Sequence, residues 1–172
     1  MKFNIANSLT LTRIFLIPLI VYLFLSNEES YRILIFFLFL LATITDYLDG
    51  FFARYLKQVT SFGEFLDPVA DKLLVIITLI LLVTENQDIL FLIPVLIIVT
   101  REFLVIAIRQ RLAEVGENIK LSVLLISKIK TAIQLISLLL LLFKFPLFGV
   151  DIYQVGIYLL QIASLLTLIS FF

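Results

Sequence analysis

The sequence predicts an all-α polytopic membrane protein, and three observations carry that expectation. Apolar residues make up 62% of the 172-residue chain and charged residues only 15%, against roughly 45–50% and about 25% in soluble domains. Six apolar stretches follow one another along the chain, each near the roughly 20 residues a helix needs to cross a bilayer core of about 30 Å. The stretches do not alternate apolar with polar residues, as the run LISLLLLLF at 135–143 shows. In lipid the backbone must satisfy its own hydrogen bonds, so such runs are helices, whereas a barrel would need alternating segments of about ten residues.

The first stretch, about Asn7–Leu25, follows a start that carries Lys2, Asn4 and Asn7. Arg13 and Pro18 interrupt it and no small-residue cleavage site follows, so it reads as a span and not as a cleaved leader. SNEES separates it from the second, Arg32–Tyr55, and KQVTSFG leads to the third, Glu64–Thr84. ENQD precedes the fourth, Ile89–Leu112, AEVGENIK the fifth, Leu121–Phe145, and KFPLFGVD the sixth, Ile152–Phe171. Pro18 and Pro94 are expected to bend their helices. No internal repeat or low-complexity tract interrupts this pattern, so a single integral-membrane domain over residues 1–172 and a six-helix bundle are expected.

Composition also excludes chemistry. Lys plus Arg and Asp plus Glu are 13 each, a formal net charge of zero, so nothing global attracts nucleic acid. The chain has no Cys and no His, which removes disulfides and thiolate nucleophiles and leaves proton transfer to carboxylates, Lys or Tyr. The basic residues orient the chain: of the 13, only Arg32 and Lys144 fall on the far side if the N-terminus is cytoplasmic. That asymmetry predicts a cytoplasmic N-terminus in the cytoplasmic membrane.

Charges inside a span need a reason, because each costs at least a few kcal/mol at the bilayer centre unless it is paired or faces water. The second span ends Thr45-Asp46-Tyr47-Leu48-Asp49-Gly50-Phe51-Phe52-Ala53-Arg54, and the third begins Gly63-Glu64-Phe65-Leu66-Asp67-Pro68-Val69-Ala70-Asp71-Lys72. Asp46 and Asp49 are three apart and Asp67 and Asp71 four apart, so each pair occupies one helical face. A short connection makes the two helices antiparallel neighbours, and the pairs can converge. Four convergent carboxylates repel unless a cation sits among them; Mg²⁺ or Mn²⁺ suits all-carboxylate ligation, and without His or Cys zinc is disfavoured. The alternative is that the acids pair with Arg54 and Lys72 and merely anchor helix ends, but two bases do not neutralise four acids. For Gly50 and Ala53 taken alone, close helix packing is the favoured reason. Two starts are open for the third helix. Either Ser61-Phe62-Gly63-Glu64 forms a capping box with Pro68 internal, the reading favoured here, or Asp67 caps with Pro68 at the first helical position.

Written as a pattern, the stretch is Asp46-x2-Asp49-Gly50-x2-Ala53-Arg54-x8-Gly63-x3-Asp67-x3-Asp71. It resembles the complete signature of the CDP-alcohol phosphatidyltransferase family, a family of dimeric six-helix membrane bundles whose active site opens toward the cytoplasm. The likeness extends to Asn4-Ile5-Ala6-Asn7-Ser8-Leu9-Thr10-Leu11-Thr12-Arg13, to Thr100-Arg101-Glu102-Phe103 with Arg109, and to Ser127-Lys128-Ile129-Lys130-Thr131-Ala132-Ile133-Gln134. These blocks are similar to those of the family's bacterial phosphatidylglycerophosphate synthases, with Ala6 where Pro is usual, Ser127 where Gly is usual, and Arg111 in a segment where aromatic residues are common.

The resemblance implies transfer of a phosphatidyl group from CDP-diacylglycerol to sn-glycerol 3-phosphate. It implies one or two Mg²⁺ or Mn²⁺ ions on Asp46, Asp49, Asp67 and Asp71, with Asp71 as general base. The CDP-diacylglycerol would rest on Asn7, Thr10, Asp49, Gly50, Ala53, Arg54 and Gly63. Asn7, Thr10 and Arg13 also suit helix capping and a positive-inside anchor. Glycerol 3-phosphate, a dianion, would meet Arg101, Arg109 and Lys128; topology-setting charge is the alternative for these and for Lys130. Glu102 is expected to pair with a neighbouring cation. Other acceptors in the family are serine, inositol phosphate and phosphatidylglycerol, and a small cation-coupled carrier is the reading from another class.

Overall fold

The computed structural model describes residues 5–26, 28–56, 61–115, 125–146 and 149–170; within these, side chains are described except at 5–11, 46–56, 61–68, 71, 109–110, 112–115 and 125–127. Among the described residues there are six helices and no strand: α1 Ile5–Leu25, α2 Tyr31–Leu56, α3 Ser61–Glu85, α4 Ile89–Val115, α5 Leu125–Phe143 and α6 Ile152–Ile169. Over the described residues, each of the six expected spans thus contains one helix. Ile89–Ile108 and Ile152–Ile169 are long and apolar enough to cross a membrane, and Thr12–Leu25 and Tyr31–Thr45 are shorter apolar runs. Because α3 begins at Ser61, Pro68 is internal to it, in keeping with the first of the two starts weighed above.

The chain divides into two compact units. The first comprises Met1–Leu82 with Leu142–Lys144, and in it α1 packs along α2. The buried residues of α1 are Arg13, Ile17, Ile20, Leu23 and Phe24, a stripe at intervals of three and four. On α2 they are Ile35, Phe39 and Ala42, and on α3 Ala70, Leu74, Thr78 and Leu82 lie on one side. The outward faces are as apolar as the core: Phe15 is 73% exposed, Tyr22 71% and Phe37 57%. Surfaces of this kind find their solvent in acyl chains and not in water. Hydroxyls in these helices turn back on their own backbone, Thr43 Oγ1 donating to Phe39 O at 2.8 Å and Thr78 Oγ1 to Leu74 O at 2.8 Å. At the connector between α1 and α2, the Arg32 guanidinium lies 5.9 Å from the centre of the Phe24 ring, within cation–π range.

The second unit comprises Val83–Leu141 with Phe145–Phe172, and in it α4 packs along α6. Two Asp residues start these helices: Asp88 Oδ1 accepts from Leu90 N at 3.3 Å, and Asp151 Oδ1 accepts from Tyr153 N at 3.0 Å and Gln154 N at 3.3 Å. The buried face of α6 is built of Gly156, Leu160, Ala163, Ser164 and Thr167, mostly small residues that let helices approach closely. The approach is tightest at Gly156. Its carbonyl accepts from Ser137 Oγ of α5 at 2.8 Å, and a Cβ there would meet Leu141 Cγ at 2.9 Å and Leu141 N at 3.2 Å.

Pro94 lies inside α4. It has no N–H to give the carbonyl four residues back, so Leu90 O loses its helical partner. Gln161 of α6 supplies the donor instead, its Nε2 reaching Leu90 O at 3.2 Å. In lipid, where water cannot substitute, a neighbouring side chain is one of the few remedies for a freed carbonyl.

Candidate active site

The fixed positions of the acidic signature lie in the first unit, on helical backbone. Positions 46, 49, 50, 53 and 54 fall on α2, and 63, 67 and 71 fall on α3. Their side chains, and those of Asn7 and Thr10 on α1, lie outside the described residues, so the convergence of the aspartates belongs to the proposal for function. Register can be read from the backbone. The buried stripe Ile35, Phe39, Ala42 continues at intervals of four, three and four to positions 46, 49 and 53. On α3 positions 63, 67 and 71 lead, at intervals of four, four, three and four, to the buried Leu74 and Thr78. On α1, Arg13, Ile17 and Ile20 are preceded by 7 and 10. Every position that the resemblance assigns to metal and donor nucleotide on these helices, Gly50 and Arg54 aside, is therefore in phase with a buried face. Arg13 itself is 1% exposed. Lys72, beside Asp71, is half-buried.

The basic residues assigned to the acceptor lie in the second unit, and their surroundings differ. Arg101 is half-buried on α4 and the next residue, Glu102, is 1% exposed. Arg101 Nη1 lies 3.4 Å from Glu102 Oε1, and Nη2 donates to Ser170 Oγ at 3.3 Å, just past the end of α6. Arg101 Nε is buried and meets no acceptor. The side chain of Arg109 is outside the described residues. On α5 the two lysines separate: Lys128 is exposed, and Lys130, two residues on and so on the opposite side of the helix, is 2% exposed. Lys130 Nζ donates to Glu102 Oε1 at 2.8 Å. Glu102 thus pairs with neighbouring cations, as its position next to Arg101 led one to expect.

The pairing with Lys130, 28 residues away, is what sequence reasoning missed. A signal for it exists: Lys130, Gln134, Ser137, Leu138 and Leu141 form the buried stripe of α5, and a Lys in phase with such a stripe requires a buried partner. Among the described residues no group of three or more acids forms a metal cluster.

A model of the CDP-alcohol phosphatidyltransferase family matches residues 3–169. The chain belongs to the CDP-alcohol phosphatidyltransferase family. Its relatives match it from end to end. A protein of Wigglesworthia glossinidia brevipalpis is 41% identical over 175 residues, 100% of this chain and 94% of its own length. One from Haemophilus influenzae is 41% identical over 170 residues, 99% of this chain and 90% of that protein. A third, from Rickettsia typhi, is 44% identical over 171 residues, 97% and 92% respectively. Each carries the name CDP-diacylglycerol–glycerol-3-phosphate 3-phosphatidyltransferase. The residues matched by the family model include the acidic signature, the Arg101 segment and the α5 lysines.

Proposed function

We propose that this chain transfers the phosphatidyl group of CDP-diacylglycerol to sn-glycerol 3-phosphate, giving phosphatidylglycerol phosphate and CMP. The observation that carries the reading is the unbroken acidic signature at 46–71 in a chain about 40% identical, over its whole length, to proteins of that name. The working enzyme is a single domain over residues 1–172, a six-span bundle and a homodimer in the bacterial cytoplasmic membrane. Its N-terminus and active site face the cytoplasm, where a lipid-borne pyrophosphate is met at headgroup level.

The donor set fits a hard divalent ion: four carboxylates, with no His or Cys in the chain to favour a softer one. Asp46, Asp49, Asp67 and Asp71 would hold one or two Mg²⁺ or Mn²⁺ ions. Such an ion, when bound, neutralises charge on the pyrophosphate as CMP departs. The remaining work falls to the chain. Asn7, Thr10, Gly50, Ala53, Arg54 and Gly63, with Asp49, seat the CDP moiety. Arg101, Arg109 and Lys128 hold the phosphate of the acceptor. Asp71 takes the proton of the attacking hydroxyl. The oxygen of that hydroxyl bonds to the diacylglycerol-bearing phosphorus, the bond from that phosphorus to the bridging oxygen breaks, and CMP carries the electron pair away.

The test is CMP release by purified protein given CDP-diacylglycerol, Mg²⁺ and a panel of acceptors. Release with glycerol 3-phosphate, abolished by EDTA, is expected. Release with serine, inositol phosphate or phosphatidylglycerol but not glycerol 3-phosphate would overturn the acceptor assignment; no release with any acceptor, in folded protein, would overturn the enzyme reading.

A further inference from the structure

Arg101 is buried more deeply than its partners justify. A guanidinium offers five N–H donors in a planar fork, and two of its nitrogens are engaged here. Nη1 faces Glu102 Oε1 at 3.4 Å, and that same oxygen is already taken, at 2.8 Å, by Lys130 Nζ. Nη2 reaches only the neutral hydroxyl of Ser170, at 3.3 Å. Nε is buried with no acceptor. The edge formed by Nε–H and Nη2–H can bind an oxyanion with two parallel hydrogen bonds. The carboxylate of Glu102 engages the other side of the guanidinium and leaves this edge facing a hydroxyl.

Glu102 therefore holds two cations from two helices on one oxygen, at 1% exposure, while its Lys130 partner is 2% exposed. We propose that Glu102 is a positioning residue for the acceptor's phosphate: it fixes Lys130 and turns the Nε/Nη2 edge of Arg101 toward a phosphate monoester dianion, with Ser170 as a neutral neighbour of that edge. The inference rests on the proposed phosphatidyl transfer and adds to it which groups set the geometry of the anion pocket. It also assigns a part to Lys130, which sequence reasoning left between pocket and topology.

Two effects of removing the Glu102 charge oppose each other. By Coulomb's law alone, deleting a negative charge beside a dianion pocket strengthens binding. Against that, Arg101 and Lys130 no longer tied to one shared carboxylate do not present the same fixed fork. Positioning wins if the carboxylate's role is geometric, so the sign of the change in KM is diagnostic.

The experiment measures KM for each substrate and kcat for Glu102→Gln, Glu102→Asp and the double variant Glu102→Gln/Lys130→Met, with melting temperatures in detergent. Glu102→Gln is expected to raise KM for glycerol 3-phosphate at least tenfold, with KM for CDP-diacylglycerol within threefold of the wild type. Glu102→Asp, which keeps the charge, is expected to recover part of that loss. Replacing both members of a buried ion pair is often neutral for stability, so the double variant is expected to melt near the wild type and still show the raised acceptor KM. Ser137→Ala, which removes a buried hydrogen bond of the same unit, serves as a control that lowers the melting temperature without moving either KM. The proposal is overturned if Glu102→Gln leaves or lowers the acceptor KM, if the KM for CDP-diacylglycerol rises instead, or if the double variant restores the acceptor KM along with stability. Should the single variant not fold, the double variant and Glu102→Asp decide by the same readout. A wild type that releases no CMP with glycerol 3-phosphate would sink the underlying reading, which is a different result from a wild type that works and variants that match it.

Discussion

Replacing Gln161 with Leu tests whether a side chain on α6 repairs the break that Pro94 makes in α4. The contact is a neutral amide donating to Leu90 O at 3.2 Å, and a hydrogen bond of this type contributes about 0.5–1.5 kcal/mol net in folded proteins. Between helices in a membrane the measured average is about 0.6 kcal/mol with a maximum near 1.7. We therefore expect Gln161→Leu to destabilise by about 1 kcal/mol, seen as a fall of roughly 2–4 °C in the melting temperature of purified protein in detergent. The decisive measurement is the double-mutant cycle with Pro94→Ala. Alanine restores the N–H at position 94, Leu90 O regains a helical donor, and the loss of Gln161 should then be nearly silent, giving a coupling energy of about 1 kcal/mol. If Gln161→Leu costs the same with and without the Pro94→Ala substitution, the two residues are not linked through Leu90 O and the argument fails.

Three further outcomes follow from the same physical reasoning. Gly156→Ala should destabilise by about 1–2 kcal/mol on thermal melting, since the added Cβ meets Leu141 at 2.9 Å and overpacking of about 1–3 kcal/mol exceeds the helix propensity gained; an unchanged or higher melting temperature would contradict the close approach of α5 and α6. Asp151→Ala should cost about 1 kcal/mol through loss of the cap on α6, whereas Asp151→Asn or Asp151→Ser should cost far less. Asp67→Ala and Asp71→Asn should each reduce CMP release to near background while leaving the protein folded, and titrating Mg²⁺ or Mn²⁺ back after EDTA should restore the wild type; persistence of activity in either variant would remove that residue from the machinery.

The positions of the helices could be read along the chain because helix ends are marked by local chemistry. Asp88 and Asp151 sit where the fourth and sixth spans were expected to begin, and each caps the helix that follows. The acidic signature was legible for another reason: carboxylates near a lipid-facing stretch are costly enough to be conspicuous. The helical backbone then puts nearly all the signature positions in phase with buried stripes. The partners across helices were not legible. Lys130 is in phase with the buried stripe of α5 and Lys128 is not, yet no local feature names Glu102 as the partner that Lys130 meets. Nor does any spacing rule connect Gln161 with Leu90, 71 residues apart, or Arg101 with Ser170. Such pairings depend on which helix lies beside which, a property of the packed chain and not of any one segment.

The two ways in which the helices dispose of polar groups bear on how the protein is made. Thr43, Thr45, Thr78, Ser164 and Thr167 all return their hydroxyl hydrogens to carbonyls of their own helices. A segment arranged in that manner is self-sufficient when it leaves the translocation machinery and can wait alone among lipids. Glu102 and Lys130 differ: besides the contact of Glu102 with Arg101 on its own helix, their 2.8 Å pairing joins α4 to α5. The 2.8 Å contact between them can therefore form only once α5 has been synthesised and lies beside α4.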